Sequence, residues 1–197
     1  MCSSDLSVSA ESESILLRDR NLVQSVGLGF EAVRQIGESS LRLRYQPAHV
    51  YSDSSFDYLD GSRQRALAMQ EFGFLGLRWR AGYELEQSAQ GDGVQADVIY
   101  GQAPLRHGPF LRVDKAISAS LSASVSASLR RSRYEDNGPP GVDRREDDLM
   151  QLGASARYQF GRDWGLLLDY RYSDNHSSVD DYDHVRHTVL LGLEWRY

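Results

Sequence analysis

The C-terminal third of the chain alternates between apolar and polar residues with a period of two. That spacing puts successive side chains on opposite faces of a β-strand. From residue 185 to 197 one face carries Val185, His187, Val189, Leu191, Leu193, Trp195 and Tyr197, and the other Arg186, Thr188, Leu190, Gly192, Glu194 and Arg196. Over 164–173, Trp164, Leu166, Leu168, Tyr170 and Tyr172 oppose Gly165, Leu167, Asp169, Arg171 and Ser173. Over 150–160, Met150, Leu152, Ala154, Ala156, Tyr158 and Phe160 oppose Gln151, Gly153, Ser155, Arg157 and Gln159. The cleanest segment is 121–129, where Leu121, Ala123, Val125, Ala127 and Leu129 oppose Ser122, Ser124, Ser126 and Ser128. Nine residues rising about 3.3 Å each, tilted by about 40°, span roughly 20 Å, close to the apolar band of a transmembrane β-barrel. A helix would mix the serines into the apolar face.

Further strands are predicted over 22–33, 41–51, 95–102 and 110–116. Residues 65–85 are read as one long strand, with a hairpin turning near Gly73 to Gly76 as the alternative. Barrel termini lie on the side of the short turns, with long loops opposite. Counting back from Tyr197, 174–184, 135–147, 103–109 and 52–63 then fall among the long loops, and 161–163 and 117–120 among the short turns. The expected fold is therefore all-β, an antiparallel transmembrane up-and-down barrel with about nine or ten visible strands. The preferred count of nine is odd, whereas bacterial barrels are usually even. This leads to the expectation that at least one strand is missing upstream.

Composition fits this picture. The hydrophobic fraction is 41% and the mean hydropathy -0.50, as expected where only every second strand residue meets lipid. No run reaches the roughly 18–20 apolar residues of a membrane helix. The net charge of -6, from 28 acidic and 22 basic residues, argues against a nucleic-acid binder, which needs a basic face. A single cysteine, Cys2, excludes a disulfide framework and a cysteine metal site. The start, Met1-Cys2-Ser3-Ser4-Asp5-Leu6, has neither the basic nor the apolar region of a signal peptide. It resembles a translated adapter end. Residues 1–20 are accordingly expected to be disordered or artefactual, and 21–197 to be a partial barrel.

Aromatic positions sharpen the membrane reading. Tyr158, Phe160, Trp164, Trp195 and Tyr197 cluster at the turn-side ends of three consecutive strands, where an aromatic girdle belongs. Arg131 and Arg133 extend an apolar face just past its band, where guanidinium could pair with lipid phosphates. A soluble sandwich with one buried and one wet face is the competing reading. The ending 189–197 resembles the terminal strand of Gram-negative outer-membrane barrels, with an aromatic last residue and apolar residues at alternate positions before it. The resemblance implies that Val189, Leu191, Gly192, Leu193, Trp195 and Tyr197 form a membrane-insertion signal read by the barrel-assembly machinery; Leu190 departs from the usual polar residue. Together with Arg130 to Tyr134, Phe160 to Trp164 and Asp181 to His184, the chain over about 63–197 resembles porin-like barrels and the barrels that follow tetratricopeptide repeats, such as surface lipoprotein assembly modifiers. By resemblance the protein sits in the bacterial outer membrane, in contact with its lipid and lipopolysaccharide.

The candidate lumen residues are Arg42, Arg44, Arg130, Arg157, Asp169, Arg171, Arg186, Glu194 and Arg196. An arginine-rich lumen could favour anionic solutes, or it could be a salt-bridged plug that conducts nothing. Catalysis is not expected, although His176 beside Ser177 and Ser178, or His184 beside Asp183, would suit a barrel lipase or protease. Asp174, Asp180, Asp181 and Asp183 could in principle hold calcium, but they lack EF-hand spacing. No metal site and no cofactor are expected. The expected function is a non-enzymatic porin-like channel, or the membrane domain of an export or assembly factor. A barrel enzyme and a soluble all-β binding domain are the alternatives.

Overall fold

The alternation becomes one sheet of ten antiparallel strands. The computed structural model describes residues 4–17, 20–52, 60–90, 94–95, 98–99, 104–134, 145–161 and 163–195. In chain order the strands are β1 (Ser4–Leu17), β2 (Arg20–Ile36), β3 (Ser39–Ser52), β4 (Gly61–Phe74), β5 (Leu77–Gln90), β6 (Val94–Gln95), β7 (Val98–Ile99), β8 (Pro104–Ala116), β9 (Leu121–Tyr134), β10 (Glu146–Phe160), β11 (Trp164–Ser177) and β12 (His184–Trp195). The main sheet runs β1-β2-β3-β4-β5-β8-β9-β10-β11-β12, and β6 pairs only with β7. β1 and β12 are its edges and do not pair with each other, so the sheet is not closed. It nevertheless curls, because Gln35 of β2 and Glu194 of β12 line the same cavity.

The described turns β2–β3, β4–β5, β8–β9 and β10–β11 lie at one end. The β2–β3 turn holds Gly37 at φ 63°, the β4–β5 turn holds Leu75 at 55° and Gly76 at 69°, and the β10–β11 turn holds Gly161 at 73°. Two successive residues at positive φ give the twist a two-residue hairpin needs. At Leu75 this costs about 1 kcal/mol, because its Cβ crowds the following carbonyl. The strand ends at Ser52 and Gly61, Gln90 and Pro104, Tyr134 and Glu146, and Ser177 and His184 lie at the opposite end.

Ser4–Leu17 is β1, in register with β2 from Ser4 opposite Arg34 to Leu17 opposite Arg20. Two expectations about individual strands change. Residues 65–85 are not one strand but the β4–β5 hairpin. Of residues 95–102, those described belong only to the two-residue pair of β6 and β7, apart from the main sheet. These two changes cancel, so the end of β3 at Ser52 and the start of β4 at Gly61 stay at the long-loop end. The main sheet has ten strands, within the nine or ten expected.

Register fixes which side chains share a face. Ser124 lies opposite Ser155 and Ser126 opposite Gly153; Arg157 lies opposite Leu167 and Asp169 opposite Leu190. These residues form the concave face. The convex face carries the apolar set, and it is bare. Val125 is 61% exposed, Val189 68% and Leu191 69%. The only buried hydrophobic residues among those described are Val50 and Leu149, whereas Ser25, Ser124, Ser132, Asp147, Ser173 and Asn175 are buried. This inverts the distribution of a water-soluble protein, in which a sheet hides its apolar face. The core of this fold is polar, and its greasy surface points outward.

Two glycines permit local close packing on the concave side. The Phe110 ring lies over Gly82, where a Cβ would come within 2.7 Å of it. At Gly108 a Cβ would sit 1.8 Å from the Leu129 carbonyl oxygen. Pro109 follows, and the β8–β9 ladder is interrupted between His107 opposite Arg131 and Phe110 opposite Ser128, since proline brings no N–H.

Candidate functional site

The concave face is lined by charge, and most of that charge is paired across strands. Toward the short turns, Arg42 pairs with Glu31 at 3.5 Å, and Arg78 with Glu71 at 3.6 Å. Asp114 accepts from Arg80 at 2.6 Å and from Arg112 at 2.9 Å. Arg157 pairs with Glu194, and Arg171 stands 4.0 Å from Asp169. Deeper along β1 and β3, Arg44 reaches Glu11 at 2.5 Å. These pairs satisfy groups that could not sit on a hydrocarbon-facing surface. At the turn end they surround a cavity of about 830 Å³, whose lining includes Glu71, Arg78, Arg112, Asp114, Arg157 and Glu194. One wall of this cavity is a run of small hydroxyls, in which Ser124 and Ser155 share a hydrogen bond of 2.7 Å.

At the loop end the mouth is fastened by a second cluster. Asp147, 5% exposed, accepts two hydrogen bonds from Arg145 at 2.9 and 2.5 Å. It accepts another from Ser177 Oγ at 2.6 Å and one from Tyr134 at 3.3 Å. The Arg145 guanidinium stands 4.4 Å from the Tyr134 ring centre and 3.3 Å from that of Tyr182, a cation–π arrangement. Burial opposes the charge on Arg145, but its hydrogen bond to Asp147 outweighs this and raises its pKa. Tyr182 belongs to the 3-10 turn Asp180–Tyr182, and its carbonyl accepts from buried Asn175 at 2.9 Å. The 178–183 connection is thereby tied to β9, β10 and β11.

The convex face carries aromatic belts at both ends. Toward the turns, Tyr158 stacks with Phe160 at 6.3 Å and Trp164 with Trp195 at 6.2 Å. Tyr197 and Arg196 lie outside the described residues. Phe72 and Trp79, stacked at 6.3 Å across the β4–β5 hairpin, extend this belt. They escape sequence reasoning that treats 65–85 as a single strand. Toward the loops, Tyr83 hydrogen-bonds His107 at 2.5 Å, Tyr170 bonds His187 at 2.9 Å, and His49 lies edge-on to Tyr51 at 4.4 Å. Arg131 and Arg133 do extend the convex face, but they pair with protein carboxylates. Arg131 meets Glu146 at 3.1 Å and Asp148 at 3.4 Å, and Arg133 meets Glu146 at 3.2 Å.

Of the residues singled out from sequence, Arg42, Arg44, Arg130, Arg157, Asp169, Arg171, Arg186 and Glu194 all share the concave face by register. Val189, Leu191, Leu193 and Trp195 share the convex face of the edge strand β12, while Leu190 and Gly192 turn inward. Of the hydrolase candidates, His176 and Asp183 come together while the Ser177 hydroxyl turns to the other face. His176 and Ser177 point to opposite faces of β11; Ser177 donates to Asp147, and His176 stands 3.9 Å from Asp183. His184 contacts the Tyr182 carbonyl at 3.1 Å. Among the described residues no three His, Cys, Asp or Glu side chains converge as a metal site would require.

An up-and-down antiparallel sheet that is polar within and apolar without is the lining and wall of a β-barrel. Residues 99–197 match the family model described as Putative beta-barrel porin 2. That match spans half of the chain, which thus belongs to this β-barrel porin family. No curated protein and no solved structure matches it.

Proposed function

We propose that the protein is a non-enzymatic porin-like channel of the bacterial outer membrane. The observation that carries this reading is the inverted polarity of the sheet, with charged, hydrogen-bonded side chains inside and bare aliphatic and aromatic ones outside. Lipid covers such a convex face at no desolvation cost, and the aromatic belts place their rings at its two polar boundaries. Lipopolysaccharide and phospholipid are then the immediate partners, and β12 is the strand offered to the barrel-assembly machinery. Small solutes pass along the concave face through the ion-paired zone and the 830 Å³ turn-end cavity.

Conductance in planar lipid bilayers tests the channel reading. Stepwise openings are expected, with a reversal potential in a potassium chloride gradient that reports preference for the anion. A folded, membrane-inserted protein that gives no openings would instead describe a salt-bridged plug.

A further inference from the structure

On the concave face two acids are each shared by two arginines: Asp114 by Arg80 and Arg112 near the short turns, and Glu86 by Arg65 and Arg106 nearer the loops, Arg106 at 3.0 Å. Arg130 and Arg186 have no carboxylate within 4.0 Å among the described residues.

Arg130 is the better placed of the two. It is exposed on the concave face of β9, two residues from Ser132 on the same face. Ser132 is 4% exposed, and its hydroxyl has no hydrogen-bond partner among the described residues. A buried hydroxyl without a partner is uncommon and marks a place where a further group can bind. Arg106 lies opposite Ser132, which makes it the diagonal neighbour of Arg130, about 7–8 Å away at the backbone. Gly108 sits directly across from Arg130 and puts no side chain between them. The nearest unshared acid on this wall, Glu84, lies opposite Gly108 on β5. It is two strands from Arg130, about 10 Å at the usual strand spacing.

We propose that Arg130, flanked by Arg106 and backed by the Ser132 hydroxyl, forms a binding site for the oxyanion group of a passing solute, a phosphate or a carboxylate. Guanidinium presents paired N–H donors that match either group in a bidentate manner. Arg130 and Arg186, with no carboxylate within 4.0 Å among the described residues, draw such an anion to this part of the concave face. The compensated zone beyond offers it no tighter site, so it can move on, as conduction requires.

This inference rests on the channel reading, and its test separates the two. Block of the single-channel chloride current in planar bilayers is titrated with inorganic phosphate and, in a parallel arm, with acetate. The protein is compared with Arg130→Gln and with Arg133→Gln, which removes the same charge from the convex face. Arg130→Gln is expected to raise the half-blocking concentration of the preferred anion about tenfold, the equivalent of one charge-assisted hydrogen bond pair. Arg133→Gln is expected to stay within about twofold, because its guanidinium stands outside the lumen and is screened from it. The arm with the larger shift names the oxyanion. Equal block in the parent and Arg130→Gln, or equal shifts in both variants, would overturn the site while leaving the channel standing. Absence of channel openings in the parent protein would overturn both.

Discussion

Val125→Arg is expected to destabilise the folded protein by about 2–4 kcal/mol, and Ser126→Arg, one residue further on, by less than about 1 kcal/mol. The two positions are neighbours on β9, but Val125 is 61% exposed on the convex face, and Ser126 lies opposite Gly153 on the concave face. An arginine at 125 would place its guanidinium in hydrocarbon near the middle of the band. At 126 it would extend over Gly153, among groups that are already charged or hydroxylated. Urea unfolding from lipid vesicles, followed by tryptophan emission, measures both. In a soluble protein the exposed valine would tolerate arginine as well as the serine does, so equal costs at the two positions would contradict the membrane reading.

Gly108→Ala is expected to cost about 3 kcal/mol or more. Alanine in a strand is normally the better residue, by about 0.5–1 kcal/mol. Here its Cβ would sit 1.8 Å from the Leu129 carbonyl oxygen and 3.0 Å from Arg130 Cα. Both obstacles are backbone, so β8 must move away from β9 at a point where Pro109 has already interrupted the ladder. Gly73→Ala is the matched comparison. It lies at the end of β4, nothing stands within 4 Å of its Cβ position, and it is expected to be neutral or slightly stabilising. The same unfolding assay reads both variants. A Gly108→Ala protein as stable as its parent would mean that β8 and β9 do not approach as closely as described.

How far the fold could be read from sequence depended on the regularity of each strand. β9 to β12 were legible because their alternation is nearly unbroken and their turns contain glycine or serine. β4 and β5 were not, because Leu75 and Gly76 lack the Asn-Gly or Asp-Gly pair that usually marks a two-residue hairpin. A signal was present nonetheless. Outward residues are even-numbered through Ala66, Ala68, Phe72 and Phe74, then odd-numbered through Leu77, Trp79, Ala81, Tyr83 and Leu85. A straight strand cannot exchange its faces in this way, whereas a two-residue turn does so automatically. β1 was hidden by its many serines and glutamates, since a polar edge strand carries a weak alternation. The lumen arginines could be placed by parity, but their partners could not. Whether Arg157 meets Glu194, or Arg130 meets no acid, follows from cross-strand register and side-chain reach, not from spacing along the chain. The Arg145–Tyr182 contact was equally invisible, because it joins residues on either side of a hairpin.

The three tryptophans, Trp79, Trp164 and Trp195, all sit on the convex face at the short-turn end. This allows the central proposition, that lipid covers this face, to be tested without altering the protein. After refolding into vesicles, their fluorescence is measured with bromine atoms placed at successive depths along the lipid acyl chains. Strong quenching is expected, greatest for bromines nearest the headgroups and weaker toward the bilayer centre. Emission that no brominated lipid quenches, from a chain with its full β-structure, would contradict it.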